Sequence, residues 1–157
     1  MTIIKLQTEI NAPVERVFDL SRSIDAHLAS TEATHEKVAE GRQSGLMELD
    51  EIITWEAKHF CINQRLTVKL TKLDYPHMFE DQMIKGAFSF MKHKHSFSES
   101  NHKTIMTDIF EFKAPLGIIG TLIEKLILKN YMKKFLKTRN LKLKQVAESE
   151  KWQNYIN

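Results

Sequence analysis

Polar and apolar residues alternate over residues 2–11, with Ile4, Leu6, Thr8 and Ile10 on one face and Lys5, Gln7 and Glu9 on the other. That period of two predicts a half-buried strand. Pro13 suits the first turn of a helix, and Val14, Val17, Phe18 and Leu20 follow at helical spacing. A second short helix is expected over residues 24–30. Residues 35–40 and 46–55 read as strands divided by a turn with Gly41 and Gly45. The runs 52–60, 61–73, 78–85, 88–99 and 103–113 are rich in β-branched and aromatic residues, with turn-like breaks at 74–76, 85–86 and 98–101. The last pattern spans residues 116–148. There Ile119, Leu122, Ile123, Leu126, Ile127, Met132, Phe135 and Leu136 recur at three- and four-residue steps, the period of one helical face. Thr121 and Glu124 have the spacing of a capping box. Residues 121–147 contain no Gly or Pro, and a helix of that span is about 40 Å long. Residues 152–157 are expected to form a frayed tail.

The order is strand, two short helices, about six further strands and one long helix, which argues for an α+β fold with an antiparallel sheet. A curved sheet of six to seven strands around the long helix would leave a cavity between them. The expected organisation is one domain over residues 1–150 with a tail over 151–157.

Composition narrows the class. A chain of 157 residues with 42% hydrophobic and 27% charged residues is long enough for a real core and is neither disordered nor membrane-like in make-up. No run of about 18 apolar residues is present and no leader is read. The single Cys61 excludes an internal disulfide and suits a reducing cytoplasm. The net charge is only +3, but the last helix concentrates Lys125, Lys129, Lys133, Lys134, Lys137, Arg139, Lys142 and Lys144. A solvated outer face explains them, and weak contact with an anionic membrane surface is the sharper alternative. Nucleic acid is not expected, because no aromatic-interleaved basic strand appears. No nucleophile elbow and no phosphate-cradling glycine loop is present.

Strand parity supplies the candidate chemistry. Met91, His93, His95 and Phe97 share a face opposite Lys92, Lys94 and Ser96, so the His/Phe face points inward. By the same rule Met106, Asp108 and Phe110 face in, as do Phe79, Asp81 and Met83, and Trp55 with His59. A hairpin turning through residues 98–102 places His93 or His95 opposite Met106 or Asp108. Buried ionisable groups must pair, meet water or meet a ligand. His93, His95 and Asp108 are therefore readable as a structural pair, as a ligand-orienting patch, or as candidates for general acid–base catalysis. A metal would find two ligands in His-x-His, with no third identified; no metal or other cofactor is expected.

The order and several motifs resemble a known superfamily. The motifs are 10–18 at the first strand–helix joint, 55–60, Gly86-Ala87-Phe88 leading to His93-Lys94-His95-Ser96-Phe97, Met106-Thr107-Asp108, and Ala114-Pro115-Leu116-Gly117. The chain resembles the helix-grip START-like (SRPBCC) superfamily of START lipid-transfer domains, the birch-pollen allergen and polyketide cyclases, and within it the small bacterial single-domain members. The resemblance implies a helix-grip fold that binds, transports or senses a small hydrophobic or amphipathic molecule in its cavity. The alternative it implies is a polyketide cyclase/dehydratase-type enzyme using a cavity His–Asp pair. The expected cavity residues are Trp55, His59, Asp81, Met83, Phe88, Met91, His93, His95, Met106, Asp108 and Phe110, with Ile119, Leu122, Ile123 and Leu126 from the helix. A monomer or homodimer is expected.

Overall fold

The computed structural model describes residues 1–156. Strands β1 (Thr2–Ile10), β2 (Lys37–Glu40), β3 (Ile52–His59), β4 (Ile62–Asp74), β5 (Met78–Lys85), β6 (Phe90–Ser100) and β7 (Lys103–Lys113) form one sheet. Its order is β1-β7-β6-β5-β4-β3-β2, and every neighbouring pair is antiparallel. Helices α1 (Val14–Arg22) and α2 (Ile24–Ser30) carry the chain from one edge of the sheet to the other. The C-terminal helix runs continuously as α3 (Gly117–Ile123), a π-helical segment (Glu124–Leu128) and α4 (Lys129–Ala147). This is the α+β helix-grip architecture that the sequence predicts. No helix among the described residues is long and apolar enough to cross a membrane.

Tight turns set the registers. Phe60 and Cys61 between β3 and β4, and Asn101 and His102 between β6 and β7, all have positive φ, the form that joins twisted antiparallel strands through two residues. The second turn places His95 opposite Asp108 and Phe97 opposite Met106. The inward face carries the core: Ile4, Ile10, Ile53, Trp55, Val68, Leu70, Phe79, Met91, Phe97, Phe110 and Phe112 are buried. Phe18 of α1 closes one end of it, with its ring edge-on to Phe79 and Phe97. From α4, Leu136, Leu143 and Ala147 pack onto the same core.

Four local expectations need correction. Residues 46–51 are not a strand; Leu46 makes one isolated bridge to Ser23, and Arg22 binds the Met47 carbonyl and Glu48 instead. Thr121 and Glu124 form no capping box. The helix starts four residues earlier, after Leu116 at φ 71°, and the Thr121 hydroxyl donates to the Gly117 carbonyl. Glu124 is buried and accepts from the Ala114 N–H at 2.7 Å. Ile119, Leu122, Ile123 and Leu126 are 68%, 60%, 39% and 65% exposed, so they are not cavity wall. The inward positions of this segment are Gly120, Glu124 and then Leu128, and the apolar stripe is its outer face. Finally, residues 150–154 form a packed 3₁₀ turn rather than a frayed tail. The Arg16 guanidinium lies 4.4 Å over the Trp152 ring, and the Ser23 hydroxyl donates to the Tyr155 carbonyl.

Candidate functional site

The concave face of the sheet and the inner face of α4 do not close on each other. A cavity of about 320 Å³ remains between them, a size suited to a small organic molecule. Trp55, Phe79, Phe88, Met91 and Phe110 form the sheet wall, and Leu128, Met132, Phe135 and Leu136 form the helix wall. Phe60, Arg65 and Ala87 line the cavity and also reach solvent. They mark its mouth at the β3–β4 turn and the β5–β6 connection.

The polar groups gather at the other end. Strand register puts Asp81 opposite His93, Phe79 opposite His95, and His95 opposite Asp108. These side chains meet on one face. Asp108 Oδ1 lies 3.1 Å from His93 Nε2 and 2.7 Å from His95 Nδ1. Asp108 Oδ2 accepts from the Asn140 amide at 2.6 Å. His95 Nε2 lies 3.7 Å from Asp81 Oδ1. The imidazole centroids are 3.9 Å apart, and His95 stacks on Phe79. Arg139 faces the same cavity and donates to the Ser21 carbonyl.

The electrostatics follow from this crowding. Burial raises the Asp108 pKa, but the charge of His95 and the hydrogen bond from His93 hold it well below the ordinary value. Burial pushes His93 down to about 4, and the charge of His95 adds to that. For His95 burial acts downward, yet the Asp108 carboxylate beside it leaves its pKa raised. Asp81 would be raised by burial, but the His95 imidazole 3.7 Å away and the charge of His93 lower it.

A second polar group lies nearer the mouth. His59 Nδ1 is 2.8 Å from the Tyr131 hydroxyl, and burial lowers its pKa. His27 stacks on Trp55 and sits 3.1 Å from Glu36.

Of the residues expected at the cavity, Trp55, His59, Asp81, Phe88, Met91, His93, His95 and Phe110 line it. Three sheet residues do not. Met83 packs its sulfur over Gly86. Met106 lies under α1, where its sulfur accepts from the Ser21 hydroxyl. Asp108 stands behind the two imidazoles. Sequence reasoning missed Tyr131, Arg139, Asn140, His27 and Glu36. The signal for Arg139 and Asn140 was present: they fall between Leu136 and Leu143 at core spacing, but the surrounding lysines drew Arg139 to the outer face.

A family model described as polyketide cyclase / dehydrase and lipid transport matches residues 1–148. No curated protein matches the chain in sequence. Solved structures do. A protein from Thermus thermophilus is 18% identical with a TM-score of 0.73, covering 94% of this chain and 100% of that one. A START superfamily protein from Mycobacterium smegmatis is 10% identical with a TM-score of 0.69, covering 92% and 98%. Ginseng major latex-like protein 151 from Panax ginseng is 11% identical with a TM-score of 0.65, covering 94% and 98%. At these identities the likeness shows the fold alone.

Proposed function

The chain belongs to the polyketide cyclase / dehydrase and lipid transport family, and on that premise we propose that it binds and carries a small, largely apolar molecule with one polar end. The observation that supports this reading is the cavity: aromatic and aliphatic walls, a mouth at one end, and the Asp81, His93, His95 and Arg139 cluster at the other. An apolar body fits the walls, and the polar head is oriented by the cluster.

The outer face of α3 supports a docking step. Leu116 and Ile118 are 75% and 90% exposed, Leu122, Leu126 and Ile127 are also exposed, and Lys125 and Lys129 flank them. Contiguous exposed apolar surface bordered by lysines suits an anionic bilayer, from which such a ligand would be taken or released.

The binding reading is tested by filling the cavity. Met132→Trp projects from the helix wall into the space. It is expected to abolish binding of an environment-sensitive naphthalene probe while circular dichroism stays native. Unchanged probe binding would count against the cavity as the site. A second reading, a cyclase or dehydratase, draws on the apposition of His95 and Asp108. It expects His95→Gln to reduce turnover of a polyketide-like substrate about 10²–10⁴-fold with binding retained, whereas the carrier reading expects a change in affinity alone.

A further inference from the structure

We propose that Asp81, His93 and His95 form a three-ligand site for a divalent transition-metal ion at the polar end of the cavity. Asp81 and His93 are directly opposed across β5 and β6, and His95 lies two residues along on the same face. One donor atom from each of the three lies within 4.8 Å of the other two. The 3.7 Å between His95 Nε2 and Asp81 Oδ1 is too long for a hydrogen bond. It is the span of two ligands on one ion: donors about 2.1 Å from a common metal at tetrahedral angles lie roughly 3.4 Å apart.

The surroundings support the same assignment. Asp108 sits on the far side of both rings, 3.1 Å from His93 Nε2 and 2.7 Å from His95 Nδ1. It leaves the second nitrogen of each ring available, and its hydrogen bond with His93 holds that ring. A carboxylate behind a ligating histidine is the usual outer support of a metal site, and Asn140 anchors this one at 2.6 Å. Two carboxylates, Asp81 and Asp108, flank the imidazoles, while Arg22, Arg65 and Arg139 also line the cavity. The open coordination positions would face the cavity, as at sites where a metal meets a small ligand. Two nitrogens and one carboxylate suit Zn²⁺, Co²⁺, Fe²⁺ or Ni²⁺ over Mg²⁺ or Ca²⁺. The His-x-His spacing alone lacked its third ligand; β5 supplies it through the fold.

The test uses tag-free, chelator-treated full-length chain titrated with Zn²⁺ by calorimetry and with Co²⁺ by visible spectroscopy. It needs no cavity ligand, so it stands or falls apart from the carrier reading. One ion per chain is expected, with a Co²⁺ ligand-field spectrum of nitrogen and oxygen coordination. Asp81→Asn and His93→Gln are each expected to weaken binding more than roughly 100-fold, beyond the loss caused by removing an outer partner. Asn140→Ala should weaken it about 10–100-fold. His102→Ala, on the exposed β6–β7 turn, should leave it unchanged. Absence of stoichiometric binding to the wild-type chain overturns the proposal. So does binding that Asp81→Asn leaves intact, which would assign the ion to surface histidines. Circular dichroism confirms that each variant is folded, and the Co²⁺ spectrum of the unmodified chain decides the matter if one is not.

Discussion

A carboxylate with 1% exposure must find donors close by. Glu124 finds the Ala114 N–H at 2.7 Å and the amino group of Met1 at 3.5 Å. Burial alone would raise its pKa, but the donors at Thr2 and Ala114 outweigh it and the pKa is lowered. The folded chain therefore holds the proton less tightly than the unfolded one. The charge stabilises the fold above the ordinary glutamate value of 4.5, and this contribution is lost as pH falls through the lower folded value. Glu124→Gln keeps the shape and removes the charge. It is expected to cost about 1.5–3 kcal/mol at neutral pH, the worth of a hydrogen bond to a charged group. It should also flatten the acid limb of stability against pH. Denaturant titrations of both proteins across that limb check this; parallel curves would show that Glu124 contributes no linked charge. Strand side chains were legible from sequence at this scale, because lysines on one parity and aromatics on the other left His93 and His95 only one way to face. Their partners were not: Asn140 reaches Asp108 from a helix 32 residues further along the chain, a distance that no local pattern spans.

The C-terminal helix is the element whose face the sequence misassigned. Amphipathic reading assumes that apolar positions point inward. At residues 117–127 the inward line instead holds Gly120 and Glu124. A Cβ at Gly120 would collide with the Pro115 carbonyl oxygen, so the close approach of backbone to backbone there requires glycine. The π-helical segment at Glu124–Leu128 then passes the inward line to Leu128, Met132, Phe135 and Leu136, where apolar periodicity is again a faithful guide. Gly120→Ala is expected to lower stability by at least about 2 kcal/mol, since the neighbouring atom is backbone and cannot step aside cheaply. Thermal unfolding measures it. A melting point within a degree of wild type would mean that the helix start relaxes freely and that its geometry does not hold the cavity wall in place. Leu136→Ala, in the wall and 3% exposed, belongs with ordinary core truncations and should cost about 2–5 kcal/mol.

At the scale of the whole molecule, α1 and α2 close one end, the sheet curves around α4, and the remaining space opens beside Phe60, Arg65 and Ala87. The element order and antiparallel topology were legible because the strand runs are consecutive and their turns short. The cavity was legible as a consequence of that order, but its helix wall was placed more than two turns too early. The outward apolar stripe on α3 makes a prediction of its own. Ile118→Glu with Leu122→Glu should reduce flotation with phosphatidylserine-containing vesicles at least about tenfold without changing the melting point, each exposed apolar side chain adding to surface binding and each new negative charge opposing it. Equal flotation of wild type and variant would remove the bilayer as the partner of this face. A carrier must hold a small molecule in this cavity. Native mass spectrometry of the chain purified from its own host, set beside the denatured mass, tests that most directly. A stoichiometric mass excess is expected that vanishes on denaturation and is missing from Met132→Trp. A native mass equal to the bare chain, unchanged after incubation with lipid extract from the same host, would contradict it.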